Sequence, residues 1–391
     1  MVENRRLKAK YSLYLGAIIY YLSSIIYPLA AYAAAWPTTE TRARQAIIID
    51  YASGKVLFEK EADQLTPPSS MTKMFTTYLI FKKLKAGQIT LDTMLPVSEA
   101  AWRMGGSKMF VRVGDQVSIR DLLRGIIIQS GNDACIVAAE GLSGTTAEFS
   151  REMTEEAHRL GAVHTTFKNP HGWPDEEHLT TVRDLAILAR HLITEFPEPE
   201  YYGLHAEREF TYSNIKQPNR NPLLGKNIGG LGLIADGIKT GHTDLGGFGL
   251  IASAQHEGQR LILVVNGLAS ERERAEESLQ LIAWAMRVFG GYRFFKAGDA
   301  ILSIPVAMGD RRVINAIADQ DIAVAIPKES RKDLKVELIR PTFVKAPIKR
   351  GDVIGQIVVT YPENQETKTF PLVASVNVDK GGGPQCSCSL S

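Results

Sequence analysis

Cysteine is scarce: the chain has three in 391 residues. Cys386 and Cys388 crowd into the low-complexity tail "GGGPQCSCSLS", and neighbours that close bridge one another poorly. Cys135 falls in an apolar, helix-like run and reads as a small core residue. No disulfide framework is expected. Metal-ligand spacing is missing as well. Eight histidines are present, but there is no H-E-x-x-H and no C-x-x-C, so no metal site is expected. The chain has no P-loop, no G-x-G-x-x-G and no internal repeat, and it is expected to work without a cofactor. Net charge is only +2, so composition points neither to nucleic acid nor to a strongly acidic partner.

What is present suits a two-domain globular protein. Hydrophobic residues make up 45% and charged residues 23%, the balance of a soluble fold with real cores. The N-terminus differs. "MVENRRLKAK" is basic, "YSLYLGAIIYYLSSIIYPLA" is apolar, and "AYAAAW" offers small residues in A-x-A spacing. That order reads as a secretory signal over 1–34, cut near Ala33 or shortly after. The apolar stretch is long for a signal, so an uncleaved anchor is the alternative; Pro28 and the alanine-rich end favour cleavage. Either reading exports the remainder to the periplasm or the outer face of the cytoplasmic membrane. Residues 379–391 read as a disordered tail. The segment from Leu372 onward has no apolar periodicity of the length a membrane-surface helix needs. Membrane association is thus expected only through the N-terminal segment.

"RQAIIIDYASGKVLFEK" (44–60) is two apolar runs about a Ser-Gly turn, which predicts a β-hairpin. "LTPPSS" follows. Its two prolines disfavour helix before Ser69, and serine is a good N-cap, so a helix should begin at about Ser69–Ser70. Met71, Met74, Tyr78 and Leu79 then follow a helical period, broadened by Phe75. The chain reads as mostly helical from about 75 to 230. Two strands about a Gly-rich turn (232–255), a further strand (260–268) and a closing helix follow. Such an order predicts one α/β unit over 40–290, with a sheet drawn from both ends of the segment. After Gly290 the texture becomes short, β-rich and turn-punctuated, predicting a small all-β domain over 292–378.

Three short motifs carry chemistry. Ser70 and Lys73 form S-x-x-K, and positions i and i+3 share one helix face. A buried lysine has a depressed pKa, so its neutral amine can act as a base. The pattern is common: "SNIK" (213–216) also matches, without suitable context. Ser130 and Asn132, in "QSGND", form S-x-N on a polar turn between two helical runs. The hydroxyl can relay a proton and the amide can bind a carbonyl. Lys239, Thr240 and Gly241, in "DGIKTGHT", sit on a predicted strand ending in a Gly turn. A strand edge pairs with extended peptides, a lysine and a threonine can hold a carboxylate, and glycine permits close approach. Each motif taken alone also describes ordinary structure: an N-cap with a snorkelling lysine, a helix turn, a strand with a solvated lysine. In this order and context they form the trio of penicillin-recognising serine enzymes.

Longer stretches extend that match. "IIIDYASGKVLFEK", "PPSSMTKMFTTY", "GGSKMFVRVGDQVSIRDLLRGIIIQSGNDACIVAAE", "FKNPHGW", "TTVRDLAILARHLI", "QPNRNPLL" and "DGIKTGHTDLGGFGLIASA" resemble the serine-type D-Ala-D-Ala carboxypeptidases, the low-molecular-mass penicillin-binding proteins. The resemblance spans about 40–290, and the β-rich segment is similar to that family's second domain. It implies a serine β-lactamase/transpeptidase-like domain, an antiparallel sheet flanked by helices with a helical insertion, followed by a small all-β domain. It implies a peptidoglycan stem peptide as substrate and β-lactams as covalent inhibitors. Ser70 would be the acylated nucleophile, Lys73 its base, and Ser130 the proton relay to the leaving D-alanine. Asn132 would hold the substrate amide, while Lys239 and Thr240 engage the terminal carboxylate. Backbone N–H groups of Ser70 and His242 would form the oxyanion hole. Arg274 matches a family arginine near the carboxylate site, with an exposed helix residue as the equal alternative. His171 and Arg220 match family positions and read as loop organisers. Trp173 replaces a smaller apolar residue usual after His-Gly.

Two other readings are weighed. A β-lactamase needs fast deacylation by a loop glutamate, and "DEEHLT" (175–180) distantly resembles such a loop, with Thr180 in place of asparagine. A non-catalytic penicillin-binding scaffold would be expected to have lost motif residues, and all are present.

Overall fold

The computed structural model describes residues 36–381 apart from 229 and 231. The expected signal segment over 1–34 and the cysteines at 386 and 388 lie outside the described residues. Among the described residues no helix is long and apolar enough to cross a membrane.

The chain divides into two compact units, Thr38–Lys296 with Asp321–Lys328, and Ala297–Gln320 with the residues from Glu329 onward. The larger unit opens with strands β1 (Gln45–Asp50) and β2 (Val56–Lys60), paired antiparallel. Helix α1 (Thr72–Lys85) follows, then β3 (Met94–Pro96), α2 (Glu99–Arg103) and β4 (Gln116–Ser118). Helices α3 (Ile119–Ile127), α4 (Asn132–Ser143), α5 (Thr146–Arg159) and α6 (Val182–Glu195) complete the helical part. A short hairpin, β5 (Glu209–Tyr212) and β6 (Ile215–Pro218), leads to β7 (Ile234–Thr243), β8 (Gly247–His256) and β9 (Gln259–Leu268). Helix α7 (Glu271–Val288) and β10 (Phe289–Phe295) close the run.

The central sheet has the order β2-β1-β9-β8-β7, and every pairing in it is antiparallel. Helices α6 and α7 pack on it. All six residues of β1 are buried, which is why it reads as a near-continuous apolar run rather than an alternating one. The hairpin over 44–60 and the three-strand run over 232–268 match the sequence-based expectation. So does the placement of the sheet at both ends of the segment.

Four helices share a start written in the sequence as S/T-x-x-D/E. The side chains of Ser118, Thr145, Thr181 and Ser270 accept from the backbone N–H three residues on, at Asp121, Glu148, Asp184 and Glu273. Each cap satisfies a donor that the helix itself leaves orphaned, worth about 1 kcal/mol. Helix α1 is different. Every residue from Thr72 to Phe81 is buried, so it is a central helix packed all round, the buried helix that its apolar run suggests. Phe75 stacks on Tyr78 and Phe167, and Phe196 meets Tyr78 edge-on.

Two expectations are corrected. The span to residue 230, expected to be mostly helical, also holds two short strand pairs, β3 with β4 and β5 with β6, the latter with Tyr212 and Ile215 paired across a two-residue turn. Ser213 and Asn214 both take positive φ, 48° and 65°, the geometry of a tight hairpin turn. The decoy "SNIK" is that turn. The second concerns "IAVAIP", read from sequence as part of the all-β domain. It forms β13 (Ile322–Pro327), pairs with β10 and belongs to the larger unit. It is buried throughout, and it pairs along β10 rather than with the strands of the segment it sits in.

The smaller unit holds β11 (Ala300–Ala307), β12 (Val313–Ala318), β14 (Lys335–Ile339), β15 (Val344–Lys345), β16 (Val353–Thr360) and β17 (Thr367–Ala374). They form one sheet in the order β14-β16-β17-β12-β11-β15. The first residues of the tail expected to be disordered are tied down: Lys380 bridges to Gly309, and the Asp379 carbonyl accepts from Asp310 N at 2.9 Å.

Candidate active site

Pro67 and Pro68 stop the chain from entering α1 as a regular helix. It enters through a tight 3-10 turn, Ser69–Met71. Ser69 has φ 51°, and its hydroxyl lies 2.9 Å from that of Thr243 on β7. The N-cap expected of serine here is therefore absent: no side chain caps this turn, because Ser69 is spent tying it to the sheet. Two glycines let backbone close around the turn. A Cβ on Gly241 would sit 3.0 Å from Met71 Cγ and 3.1 Å from the Pro68 carbonyl. A Cβ on Gly172 would sit 1.8 Å from the Ser69 carbonyl oxygen. Gly241 thus serves the approach of β7 to the serine turn.

Lys73, one turn along, is completely buried. Its Nζ lies 2.8 Å from Ser70 Oγ and donates to the His171 carbonyl at 2.7 Å. Burial pushes its pKa down to about 8 from 10.5; Asp133 partly opposes the fall and Arg220 adds to it. A lysine poised near 8 has a usable neutral fraction at neutral pH, which an exposed one lacks.

Ser130 lies between α3 and α4 with φ 58°. Its hydroxyl is buried and has no hydrogen-bond partner. A serine in left-handed backbone with an unsatisfied buried hydroxyl costs stability twice over. Such sites are where strain and orphaned polar groups serve function. The next residues hold it. Asn132 Nδ2 donates to the Gly105 carbonyl at 2.9 Å, leaving the amide oxygen as the end available to a substrate N–H. Asp133 accepts from the backbone N–H groups of Met109 and Phe110, both at 2.8 Å, and so fixes the loop that Asn132 touches.

Lys239, Thr240 and Gly241 lie on β7, the edge strand of the sheet. Lys239 is buried and donates to the Thr240 carbonyl at 3.2 Å. Desolvation holds its pKa well below the usual lysine value, aided by the charges of Lys73, Arg220 and Arg274. His242 is exposed and stacks on Phe248, ring centres 3.8 Å apart. The guanidinium of Arg274 lies 5.8 Å from the same ring. Arg274 is not the exposed helix residue of the alternative reading. It is 4% exposed, and its Nε is buried without a partner.

A cleft of about 170 Å³ brings Ser70, Ser130, Thr240, Gly241, His242 and Arg274 together. Arg220, Ser107, Phe248 and Glu271 complete its wall. Lys73 and Lys239 stand behind Ser70 and Thr240, and Asn132 stands behind the loop of Ser107, whose carbonyl accepts from Asn132 N at 2.7 Å. Arg220, read from sequence as a loop organiser, is a cleft residue and donates to Ser107 Oγ at 2.6 Å. His171 does organise: its carbonyl holds Lys73, and burial pushes its ring down to about 3, so it stays neutral. Phe248 was not legible, because only the pairing of Phe248 with His242 across β7 and β8 brings it here. Trp173 packs over Gly105 and Gly106, beside the Asn132 loop. The exposed carboxylates of the 175–180 loop are not among the cleft residues; Glu177 pairs with Lys168 at 2.7 Å.

A serine answered by a lysine one helical turn away, with cations gathered around a small cleft, makes this fold that of a serine acyl-transfer enzyme. Residues 31–270 match the D-alanyl-D-alanine carboxypeptidase family model, and 289–380 match the penicillin-binding protein 5 C-terminal domain. The chain belongs to the D-alanyl-D-alanine carboxypeptidase family. It is 40% identical to D-alanyl-D-alanine carboxypeptidase DacC of Escherichia coli (strain K12) over 348 residues, 87% of this chain and 85% of the relative. Penicillin-binding protein 5 of Haemophilus influenzae superposes with TM-score 0.80 at 34% identity, covering 88% of this chain and 99% of that one. Penicillin-binding protein D2 of Listeria monocytogenes, solved in an ampicillin-bound form, superposes with TM-score 0.56 at 27% identity, over 63% of this chain and all of that one.

Proposed function

We propose that this enzyme is a serine carboxypeptidase that removes the terminal D-alanine from peptidoglycan stem pentapeptides through an acyl-enzyme on Ser70. The observation that carries the mechanism is the 2.8 Å contact between Ser70 Oγ and a fully buried Lys73. Neutral Lys73 takes the serine proton as Ser70 attacks the D-Ala–D-Ala carbonyl. The oxyanion sits against the backbone N–H groups of Ser70 and His242. Ser130, whose hydroxyl lacks a partner in the free enzyme, passes a proton to the departing D-alanine. Asn132 orients the substrate amide. Lys239, Thr240 and Arg274 hold the terminal carboxylate, with Arg220 adding charge to the same wall. Water then releases the acyl group. A β-lactam would acylate the same serine, as the ampicillin-bound relative supports. Action on stem peptides places the enzyme outside the cytoplasmic membrane, in the periplasm or on the membrane's outer face.

The β-lactamase reading loses ground because Glu176 and Glu177 are exposed. The scaffold reading loses ground because the serine–lysine pair is assembled. One experiment separates all three: intact mass with penicillin over time, beside D-alanine release from a diacyl-Lys-D-Ala-D-Ala peptide, for wild type and Ser70→Ala. A long-lived adduct and D-alanine release by wild type only are expected. Rapid penicillin consumption with a vanishing adduct would indicate a β-lactamase, and folded protein that releases no D-alanine would indicate a scaffold.

A further inference from the structure

Strand β14 is the outermost strand of the smaller unit's sheet, and β16 is the one strand it pairs with among the described residues. All five of its residues are exposed. Val336 and Leu338 lie opposite Val359 and Ile357 of β16. Those two are buried, at 0% and 3%, while Val336 and Leu338 are 48% and 47% exposed. The apolar face of the sheet therefore runs past its cover onto β14 and ends bare, beside a row of unpaired backbone groups. Such an edge is a template for another strand.

The sequence of the edge says which strand. With the half-buried Leu334 that precedes β14, residues 334–338 read Leu-Lys-Val-Glu-Leu. Set antiparallel to a second copy with Val336 on the two-fold axis, Leu334 faces Leu338 and Lys335 faces Glu337, each pair occurring twice. Directly opposed residues share a sheet face. One face of the seam is then apolar, and the other carries two opposite-charge pairs flanked by the exposed Ile339 of each copy. Moving the axis to Glu337 sets two glutamates against each other. The charges that would guard a lone edge thus complement one another with Val336 on the axis and oppose one another with Glu337 there.

We propose that β14 is a homodimer seam, in which two copies of this chain add strand to strand and join two six-stranded sheets into one. The test is sedimentation of the full chain over a concentration series. Wild type is expected to pass from monomer to dimer. Lys335→Glu and Glu337→Lys each oppose like charges twice across the seam and should each weaken the dimer by about tenfold or more. The double variant Lys335→Glu/Glu337→Lys recreates both pairs and should recover the wild-type dimer. In a Cys386→Ser/Cys388→Ser background, Val336→Cys should cross-link to a covalent dimer under mild oxidation, since the opposed Cα spacing suits a disulfide. Circular dichroism and penicillin acylation, unchanged in the variants, would show that they fold. A chain that stays monomeric up to about 0.1 mM would overturn the proposal. So would association that neither single variant weakens, or a double variant as weak as the singles.

Discussion

The carbonyl of His171 holds the amine of Lys73 at 2.7 Å. A backbone acceptor orients the amine without lending it a negative charge. The lysine is thereby aimed at Ser70 while burial keeps its pKa down to about 8. Acylation by penicillin should then rise about tenfold per pH unit below 8 and level off above it. Stopped-flow acylation between pH 6 and 10 measures this. A flat profile would remove Lys73 as the base. Lys73→Arg keeps a cation but has no neutral form to offer, and should lose about 10² to 10⁴ of the acylation rate.

The same lysine carries a stability signature. Its folded pKa lies below its unfolded one, so the unfolded chain binds more protons between about 8 and 10.5. The cost of burying the charge is fully present below pH 8 and fades as pH rises through that window. Lys73→Met should therefore melt higher than wild type at pH 7, by a margin that shrinks towards pH 10. Calorimetry across that range gives the answer, and a constant margin would point to packing instead.

Acid should act through the buried histidines. Burial pushes His171 down to about 3 and His178 to about 4. His178 lies 2.9 Å from Thr72 Oγ1 and accepts from Lys168 N. The unfolded chain takes up these protons near pH 6.5, and the folded chain resists until pH 3–4. Their contribution is complete above about 6.5 and is lost as pH falls. Urea midpoints should drop between pH 7 and 5, and His178→Gln, though less stable at pH 7, should show a shallower drop.

Gly172→Ala drives a methyl to 1.8 Å from the Ser69 carbonyl, at φ 87°. The turn bearing Ser70 must move, so acylation should fall by at least about 10², with stability lost as well. Gly161→Ala is the control. Its φ is 96° but nothing lies within 4 Å, so it should cost about 1 kcal/mol and leave acylation intact.

Arg274 presents a buried guanidinium with an unpartnered Nε to the cleft. Arg274→Gln should lower kcat/KM for a peptide with a free terminal carboxylate by about ten- to a hundredfold. The same peptide amidated at its C-terminus should be indifferent to the change. Equal losses on both would make Arg274 a packing residue.

The sequence made the site legible wherever chemistry and local geometry coincide. Ser70 and Lys73 are three residues apart at a helix start, a spacing that sequence displays, and Lys239 lies in a run that ends in a Gly turn, which marks a strand. Phe248 and the place of Arg220 in the cleft escaped, because a cross-strand pairing and a long irregular stretch bring them there and no local pattern encodes either. Ser69 misled in the other direction. Its residue type promises a cap, but a contact 174 residues away claims its hydroxyl. The run "IAVAIP" lies inside the stretch that matches the C-terminal domain, yet β13 pairs with β10 in the larger unit, since apolar character tells that a strand is buried and not which strand it joins.

That bond from Ser69 to Thr243 also sets an order in time. The nucleophile's turn is complete only when a strand made much later in synthesis has docked against it, with Gly241 pressed onto Met71. A chain emerging from a ribosome or a translocon carries Ser70 and Lys73 long before residue 243. Until then it holds the reactive pair without the scaffold that aims it, so the half-made enzyme is chemically mute.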